Sequence, residues 1–201
     1  MKECQVVKCP CCGALHQMVK PSKKLGRVEI FSDGKTVSEE LNEALEVSRC
    51  SQCSEFYWIE DASVASASAP VSDSLPWVRL LSVDEYEQML LATAITTDVE
   101  EILRMELLWA FNDRVRRDEP IFVKESDEEL WKSNIGILAK LQDGTNAYSR
   151  LLKAELAREL GNFEEAAKLL SSVKEASVLS IKQQLLDAVE RKDPNVFKLR
   201  Q

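Results

Sequence analysis

All six cysteines of this 201-residue chain lie before residue 54, and four of them form two widely separated C-x-x-C pairs. Cys9 and Cys12 lie in CPCCG, and Cys50 and Cys53 lie in CSQC. A two-residue spacer lets the backbone turn so that both sulfurs of a pair face one point. Two such pairs can therefore occupy the corners of a tetrahedron around Zn²⁺. The sequence predicts a closed structural zinc site, which stabilises a fold and leaves no open position for a water molecule.

Two further cysteines and the only histidine of the chain lie near the first pair. Cys11 falls between the two members of that pair, so its side chain is expected to point away from a metal that they hold. Cys4 lies upstream, beside a candidate strand. We interpret both thiols as small buried residues or spare thiols, and His16 as a surface or hydrogen-bonded residue, rather than as ligands.

The cysteine pairs also allow an interpretation as redox-active dithiols. A C-x-x-C dithiol can cycle when it opens a helix beside a strand, as in thioredoxin-like folds. The residues after Cys12, GALHQMVKPSKK, are charged and contain Pro21, so they show no helical pattern. Two separate pairs also favour metal binding, and redox chemistry stays the less favoured alternative.

Through CPCCG and CSQC, residues 4–61 resemble the zinc-ribbon class. The resemblance implies a small β module folded around one structural Zn²⁺. Two features depart from the usual pattern, since 37 residues separate Cys12 from Cys50, and Ser54 follows the second pair where Gly13 follows the first. The long insert must therefore hold extra elements.

The alternating residues Val28 and Ile30 predict a strand that runs into a hairpin at Asp33–Gly34, a strong two-residue turn signal. The GKT that begins at this glycine suggests a phosphate-binding loop, but that motif requires glycine where the chain has Glu29. We therefore reject a nucleotide site. Residues 55–61, EFYWIED, predict an aromatic strand that packs in a core or docks another surface, and base stacking is the alternative.

Residues 62–76 are rich in Ser, Ala and Pro, lack periodicity and predict a linker. The cysteine-free remainder predicts six helices with short connections. Their predicted starts, most of them capping boxes with an acid three residues on, are Ser82, Thr97, Ser126, Thr145, Asn162 and Ser177. The sequence thus predicts an α+β protein, with a β zinc ribbon over 1–61, a linker over 62–76 and an all-α helical bundle over 77–201.

One helical segment, LARELGNFEEAAKLL at residues 156–170, resembles the turn of a tetratricopeptide repeat. Gly161, Phe163 and Ala166 match the glycine, the aromatic and the small residue of that turn, whereas the preceding helix departs from the repeat's pattern. Solenoids need about three repeats, and no second copy is evident. We therefore expect one repeat-like hairpin inside a bundle, and the resemblance implies a surface for a protein partner.

The charge of the chain limits its partners. The net charge is -8 and neither half is basic, whereas generic affinity for nucleic acid needs a positive surface. One local basic cluster, interpreted as a solvated loop, comprises Lys20, Lys23, Lys24 and Arg27. A second group, interpreted as cations that complement a helix dipole with an anion site as the alternative, comprises Arg114, Arg116 and Arg117.

We expect a soluble, cytoplasmic protein, because no apolar run approaches the roughly 20 residues of a membrane helix and no signal-peptide core is evident. A single histidine excludes a multi-histidine metal centre. No nucleophile elbow, metalloprotease pair or dinucleotide fingerprint occurs. We therefore expect neither enzymatic activity nor a small-molecule substrate.

The leading hypothesis is a non-catalytic, zinc-binding adaptor that binds a protein partner of unknown identity. The alternatives are a nucleic-acid-associated regulator that uses the basic cluster, and a C-x-x-C thiol redox protein. The combination is similar to uncharacterised bacterial-type proteins with a zinc ribbon and a helical repeat region, and that similarity implies no particular activity.

Overall fold

The computed structural model describes residues 4–20, 27–38, 45–91 and 95–200. Seven β-strands and six α-helices lie within these ranges, which confirms the predicted α+β class. The chain divides into two compact units. The cysteine unit comprises Met1–Val28 and Val37–Glu85, and the helical unit comprises Glu29–Thr36 and Tyr86–Gln201. These units do not share the boundaries predicted at residues 61 and 77.

The cysteine unit contains antiparallel strands. The strands of the chain are β1 (Cys4–Lys8), β2 (Leu15–Val19), β3 (Val28–Ile30), β4 (Thr36–Ser38), β5 (Val47–Arg49), β6 (Phe56–Trp58) and β7 (Ser63–Ala69). One sheet has the order β2-β1-β7, and β5 pairs with β6. Both C-x-x-C pairs therefore lie in hairpin turns, one between β1 and β2 and the other between β5 and β6.

The predicted linker over 62–76 contains strand β7, which pairs antiparallel with β1. The side chain of Gln17, which is 1% exposed, holds the segment that follows. Its amide donates to the carbonyls of Ser72 and Leu75 at 2.7 Å each, and its oxygen accepts from the amide of Ser72 at 2.7 Å. The order of this segment comes from backbone pairing and one buried side chain rather than from a hydrophobic pattern.

The six predicted helices are present. They are α1 (Val83–Leu90), α2 (Thr97–Arg116), α3 (Asp127–Leu141), α4 (Ala147–Glu159), α5 (Phe163–Ser172) and α6 (Leu179–Glu190). None of the helices in the described part of the chain has both the length and the apolar character needed to cross a membrane.

The predicted N-cap residues can be compared with the hydrogen bonds at the observed helix starts. The predicted box of Ser82 and Glu85 forms, with the Ser82 amide donating to the carboxylate at 2.9 Å and the Glu85 amide donating to the hydroxyl at 3.3 Å. Thr96 caps α2 one residue before the predicted cap, and Asn146 caps α4 one residue after it. Ser126 makes no side-chain cap. The starts of α5 and α6 also lack a side-chain cap bond. The helices were thus predictable, whereas only some of the predicted caps form, and two of these are displaced by one residue.

Helices α4 and α5 join at the turn that resembles a tetratricopeptide repeat. Gly161 has a φ of 77°, its amide donates to the carbonyl of Arg158 at 2.9 Å, and the next amide, of Asn162, donates to the carbonyl of Ala157 at 2.8 Å. These bonds form a Schellman motif, which suits glycine because its φ is positive. Ala166 is fully buried in α5. The family resemblance itself stays a prediction.

Residues Glu29–Thr36 form the tip of the β3–β4 hairpin and belong to the helical unit. The predicted turn is present, since Gly34 has a φ of 80° and its amide donates to the carbonyl of Phe31 at 2.9 Å. The C-terminal segment pairs with this tip. The Ser32 amide donates to the carbonyl of Phe197 and the Leu199 amide to the carbonyl of Ile30, both at 2.8 Å.

Candidate metal centre

The two cysteine turns have the same backbone hydrogen bonds. In the first, the amide of Cys9 donates to the carbonyl of Ala14, and the amide of Gly13 donates to the carbonyl of Cys9, both at 2.9 Å. In the second, the amide of Cys50 donates to Glu55 at 2.9 Å, and the amide of Ser54 donates to Cys50 at 3.0 Å. Each pair of cysteines is therefore held on a closed turn between two paired strands.

Ser54 occupies the position that Gly13 has in the first turn. Gly13 has a φ of 77° and Ser54 a φ of 63°, a region that residues with a Cβ rarely adopt. The missing glycine, noted as a departure from the zinc-ribbon pattern, therefore leaves the turn in the same conformation. The carbonyl of Ser54 accepts a bond from the Arg49 guanidinium at 2.8 Å, which contributes to holding the strained residue.

The four predicted ligand sulfurs, of Cys9, Cys12, Cys50 and Cys53, all lie within 4.8 Å of one another. The sulfurs of Cys9 and Cys53 are 3.9 Å apart, and those of Cys12 and Cys50 are 3.7 Å apart. A tetrahedral Zn²⁺ with bonds of about 2.3 Å to sulfur places its ligands about 3.8 Å apart. The arrangement therefore fits a tetrahedral thiolate-bound metal.

No other group of three or more His, Cys, Asp or Glu side chains in the described part of the chain could hold a metal. Behind the sulfurs, Cys9, Cys50 and Tyr57 form a small buried cluster. Cys12 is exposed and Cys53 is half-buried. One side of the site thus faces the core of the unit and the other faces solvent.

The thiols of the second turn differ in acidity. Burial disfavours the thiolate of Cys50, but the amides of Cys53 and Gln52 donate to its sulfur and lower its pKa to about 7. The amide of Glu55 favours the thiolate of Cys53, but burial and the neighbouring sulfurs, that of Cys12 first, raise its pKa to about 12. Close sulfurs cannot all ionise without a cation between them, so metal binding must release protons.

His16 is buried and links the two turns without joining the sulfur group. Its Nδ1 lies 3.3 Å from the carbonyl of Ala14, and its Nε2 lies 3.2 Å from the hydroxyl of Ser51. The backbone amide of Ser51 also donates to Nε2, at 3.4 Å, so Nδ1 carries the proton that bonds to Ala14. The prediction of a hydrogen-bonded, non-ligating residue fits these contacts. Its role in joining the turns was not predicted.

The two remaining cysteines lie outside the sulfur group, as the spacing predicted. Cys4 is buried in β1, and its thiol donates to the carbonyl of Ala69 in β7 at 2.9 Å. Cys11 is exposed in the first turn.

In the aromatic strand β6, Tyr57 is buried, and the Arg49 guanidinium lies 5.1 Å from the ring centre of Phe56.

The basic groups noted in the sequence form no open anion site among the described residues. Lys23 and Lys24 lie outside those residues, so the basic cluster is described only at its ends. The three arginines at the end of α2 bond to carboxylates: Arg114 to Asp127 at 2.6 Å, Arg116 to Asp113 at 2.7 Å and to Asp33, and Arg117 to Glu119 at 3.2 Å.

Comparison with protein-family models, curated proteins and solved structures finds no match to this chain.

Proposed function

We propose that Cys9, Cys12, Cys50 and Cys53 bind one structural Zn²⁺ and that the cysteine unit is a zinc ribbon. The observation that carries this proposal is the convergence of four sulfurs from two hairpin turns at tetrahedral spacing. Four thiolates in this arrangement favour zinc or iron among the common metals. The segregation of the cysteines into two turns of matching backbone geometry supports a single closed site.

The metal would supply cross-linking rather than chemistry, because four thiolates complete a tetrahedral coordination sphere. The chain's own residues pre-arrange the ligands. The amides of Gln52 and Cys53 stabilise negative charge on Cys50, and His16 fixes one turn against the other. In the small cysteine unit, such a cross-link compensates for a limited core.

We further propose that the protein is a non-catalytic adaptor, and that its helical unit contacts a protein partner. The resemblance of the α4–α5 turn to a tetratricopeptide repeat supports this role. A cytoplasmic location is part of the proposal, because thiols stay reduced there and all six cysteines are free thiols in the structure.

The two alternatives gain no support from the described residues. A redox dithiol is activated when it opens a helix, but both cysteine turns connect β-strands. The nucleic-acid alternative uses the basic cluster, and its Lys23 and Lys24 lie outside the described residues, so no described contact supports it.

Titration of the reduced, metal-free protein with Co²⁺ tests the metal proposal. We expect saturation at one ion per chain with the absorption of tetrahedral thiolate coordination, and displacement by Zn²⁺. Cys12→Ser and Cys53→Ser should lose that spectrum or weaken binding at least tenfold. Cys11→Ser, the matched control in the same turn, should bind like the wild type. Equal losses in Cys11→Ser and Cys12→Ser would contradict the assignment.

A further inference from the structure

Three polar side chains at the tip of the β3–β4 hairpin, Ser32, Asp33 and Lys35, are buried in the helical unit. Asp33 is 0% exposed. Its carboxylate accepts from the side-chain amide of Asn112 at 2.9 Å and from the guanidinium of Arg116. Its backbone carbonyl accepts from the indole of Trp109 at 3.2 Å. Lys35 adds an ion pair to Asp113 at 2.7 Å. Turn residues usually lie at the surface, so this burial requires polar compensation.

The amide that holds Asp33 also holds a second buried carboxylate. The Nδ2 of Asn112 lies 3.1 and 3.3 Å from the two carboxylate oxygens of Glu159, which is 3% exposed. Asp33 also accepts a hydrogen bond from the charged guanidinium of Arg116, whereas the donor to Glu159 is the uncharged amide of Asn112. Next to it on α4, Glu155 and Arg158 are both fully buried and pair with each other at 2.7 Å.

The charges of this cluster do not balance if every carboxyl group is ionised. The carboxylates are Asp33, Asp113, Glu155 and Glu159, against the cations Lys35, Arg116 and Arg158. A metal ion does not supply the missing charge, because these oxygens do not converge as a metal site within the described residues. A buried carboxylate without a charged partner is costly, and the usual remedy is to keep its proton.

We propose that docking of the hairpin tip, residues 29–36, into the helical unit takes up one proton, which is held on the carboxyl group of Glu159. A neutral Glu159 still accepts the amide of Asn112, and it no longer repels Asp33 and Glu155. When the tip leaves, Asn112 loses its second partner, Glu159 gains access to water and the proton dissociates. Docking of the hairpin tip is thus coupled to the uptake of one proton, and undocking is coupled to its release.

Electrostatics support the geometry. Burial raises the pKa of Glu159 well above its ordinary value, and the negative charges of Glu155 and Asp33 raise it further. The positive charge of Arg158 and the amide of Asn112 act in the opposite direction. The groups that act on Glu159 are Asp33 from the hairpin, Asn112 from α2, and Glu155 and Arg158 from α4. Next to these groups, Arg116 bonds to Asp33, Lys35 pairs with Asp113, and Asp193 from the C-terminal segment acts on Arg158.

The direction of the pH dependence follows from linkage. The docked state binds the proton more tightly than the undocked state, so docking is strongest below the ordinary pKa of a glutamate. As the pH rises above that value, the docking constant falls by up to about tenfold per pH unit. The docking constant stops falling once the pH exceeds the pKa of Glu159 in the docked state.

The first test is an NMR titration of isotope-labelled glutamate carboxyl groups in the full-length wild-type protein. We expect one carboxyl group, assigned through its loss in Glu159→Gln, to remain protonated at pH 7. If Glu159 is ionised in the docked protein at pH 7, the proposal is wrong. The protonation state itself is measured in the wild-type protein, and the variant serves only to assign the signal.

Hydrogen exchange then tests the pH dependence of docking, through the amides of Ser32 and Leu199, which form hydrogen bonds between the docked tip and the C-terminal segment. In the wild type, their protection factors should fall at least tenfold from pH 5 to pH 7.5. In Glu159→Gln, which stays neutral, they should change less than threefold. Glu164→Gln, an exposed glutamate on α5, should behave like the wild type. An equal fall in Glu159→Gln would overturn the proposal.

Discussion

Among single residues, Ser54 gives the clearest test of the two cysteine turns. It adopts a φ of 63° where the equivalent Gly13 has 77°, and a Cβ in this region costs about 1 kcal/mol. We expect Ser54→Gly to stabilise the zinc-loaded protein by about that amount in urea unfolding.

The reverse exchange is the matched control. A Cβ at Gly13 would meet no atom within 4 Å, so Gly13→Ser should cost about 1 kcal/mol through the backbone alone. If Ser54→Gly destabilises the protein, the two turns are not equivalent.

A second residue in the left-handed region is Asp118, with a φ of 58° at the end of α2. Its amide donates to Val115 at 3.0 Å, and the next amide, of Glu119, donates to Arg114 at 2.8 Å, which forms a Schellman motif. Asp118→Gly should therefore stabilise the helical unit by about 0.5–1 kcal/mol. Thermal unfolding provides the measurement, and Gly161→Ala, at the same position of another Schellman motif, should show a loss of similar size.

Residue types alone predicted which four sulfurs converge, because thiol spacing in a tight turn is a local property. They also separated Cys4 and Cys11 from this sulfur group. The burial of Glu159 was not predictable in this way. A glutamate beside an arginine on an amphipathic helix is normally solvent-exposed, and its environment here comes from Asn112 on another helix and from the hairpin.

Among the secondary-structure elements, the start of α1 provides a pH test. The guanidinium of Arg79 hydrogen-bonds to Glu85, and this bond, together with donors from Ser82, lowers the pKa of Glu85 to about 2. Stability from this lowering is present above the unfolded pKa and is lost as the pH falls through the folded value. We expect Glu85→Gln to cost on the order of 2 kcal/mol at pH 7.

The same substitution should cost progressively less as the pH falls from 4.5 toward 2, because the wild-type carboxylate is then protonated too. Urea unfolding at several pH values measures the difference. Glu87→Gln, an exposed glutamate on the same helix, should show no such trend. A pH-independent cost for Glu85→Gln would show that the ion pair and the cap contribute nothing as charges.

The segment after β7 gives a prediction about a single anchoring side chain. Gln17→Ala removes three hydrogen bonds of a buried side chain to the half-buried residues Ser72 and Leu75, which should cost about 2–3 kcal/mol. Hydrogen exchange at the Ser72 amide should accelerate more than global unfolding explains. Gln5→Ala, on the adjacent strand β1, is the control and should leave that amide protected.

Helices and turns were largely predictable, because caps, glycines and apolar spacing are local signals. Strand β7 was not, since Ser63–Ala69 is composed mostly of small residues and carries no strong pattern. Its conformation is set by pairing with β1, and the residues after it are held by Gln17. Tertiary context therefore decided the structure where the sequence indicated only a linker.

For the whole molecule, the two halves in sequence are not the two units in space. The Asp33–Gly34 turn was predicted, but its place in the helical unit rests on partners far along the chain, at Asn112, Arg116 and Phe197. No local pattern specifies such contacts. The class of the fold, the helices and the converging cysteines were thus predictable, whereas the assignment of residues 29–36 to the helical unit was not.

Zinc content measured together with thiol reactivity tests the central claim most directly. On reduced protein purified without added metal, native mass spectrometry should find one zinc per chain. Under native conditions a thiol reagent should modify Cys11 rapidly and buried Cys4 slowly, while the four ligands react only after chelation or unfolding. A chain without metal, in which Cys9, Cys12, Cys50 and Cys53 react freely or pair as disulfides, would contradict the zinc site.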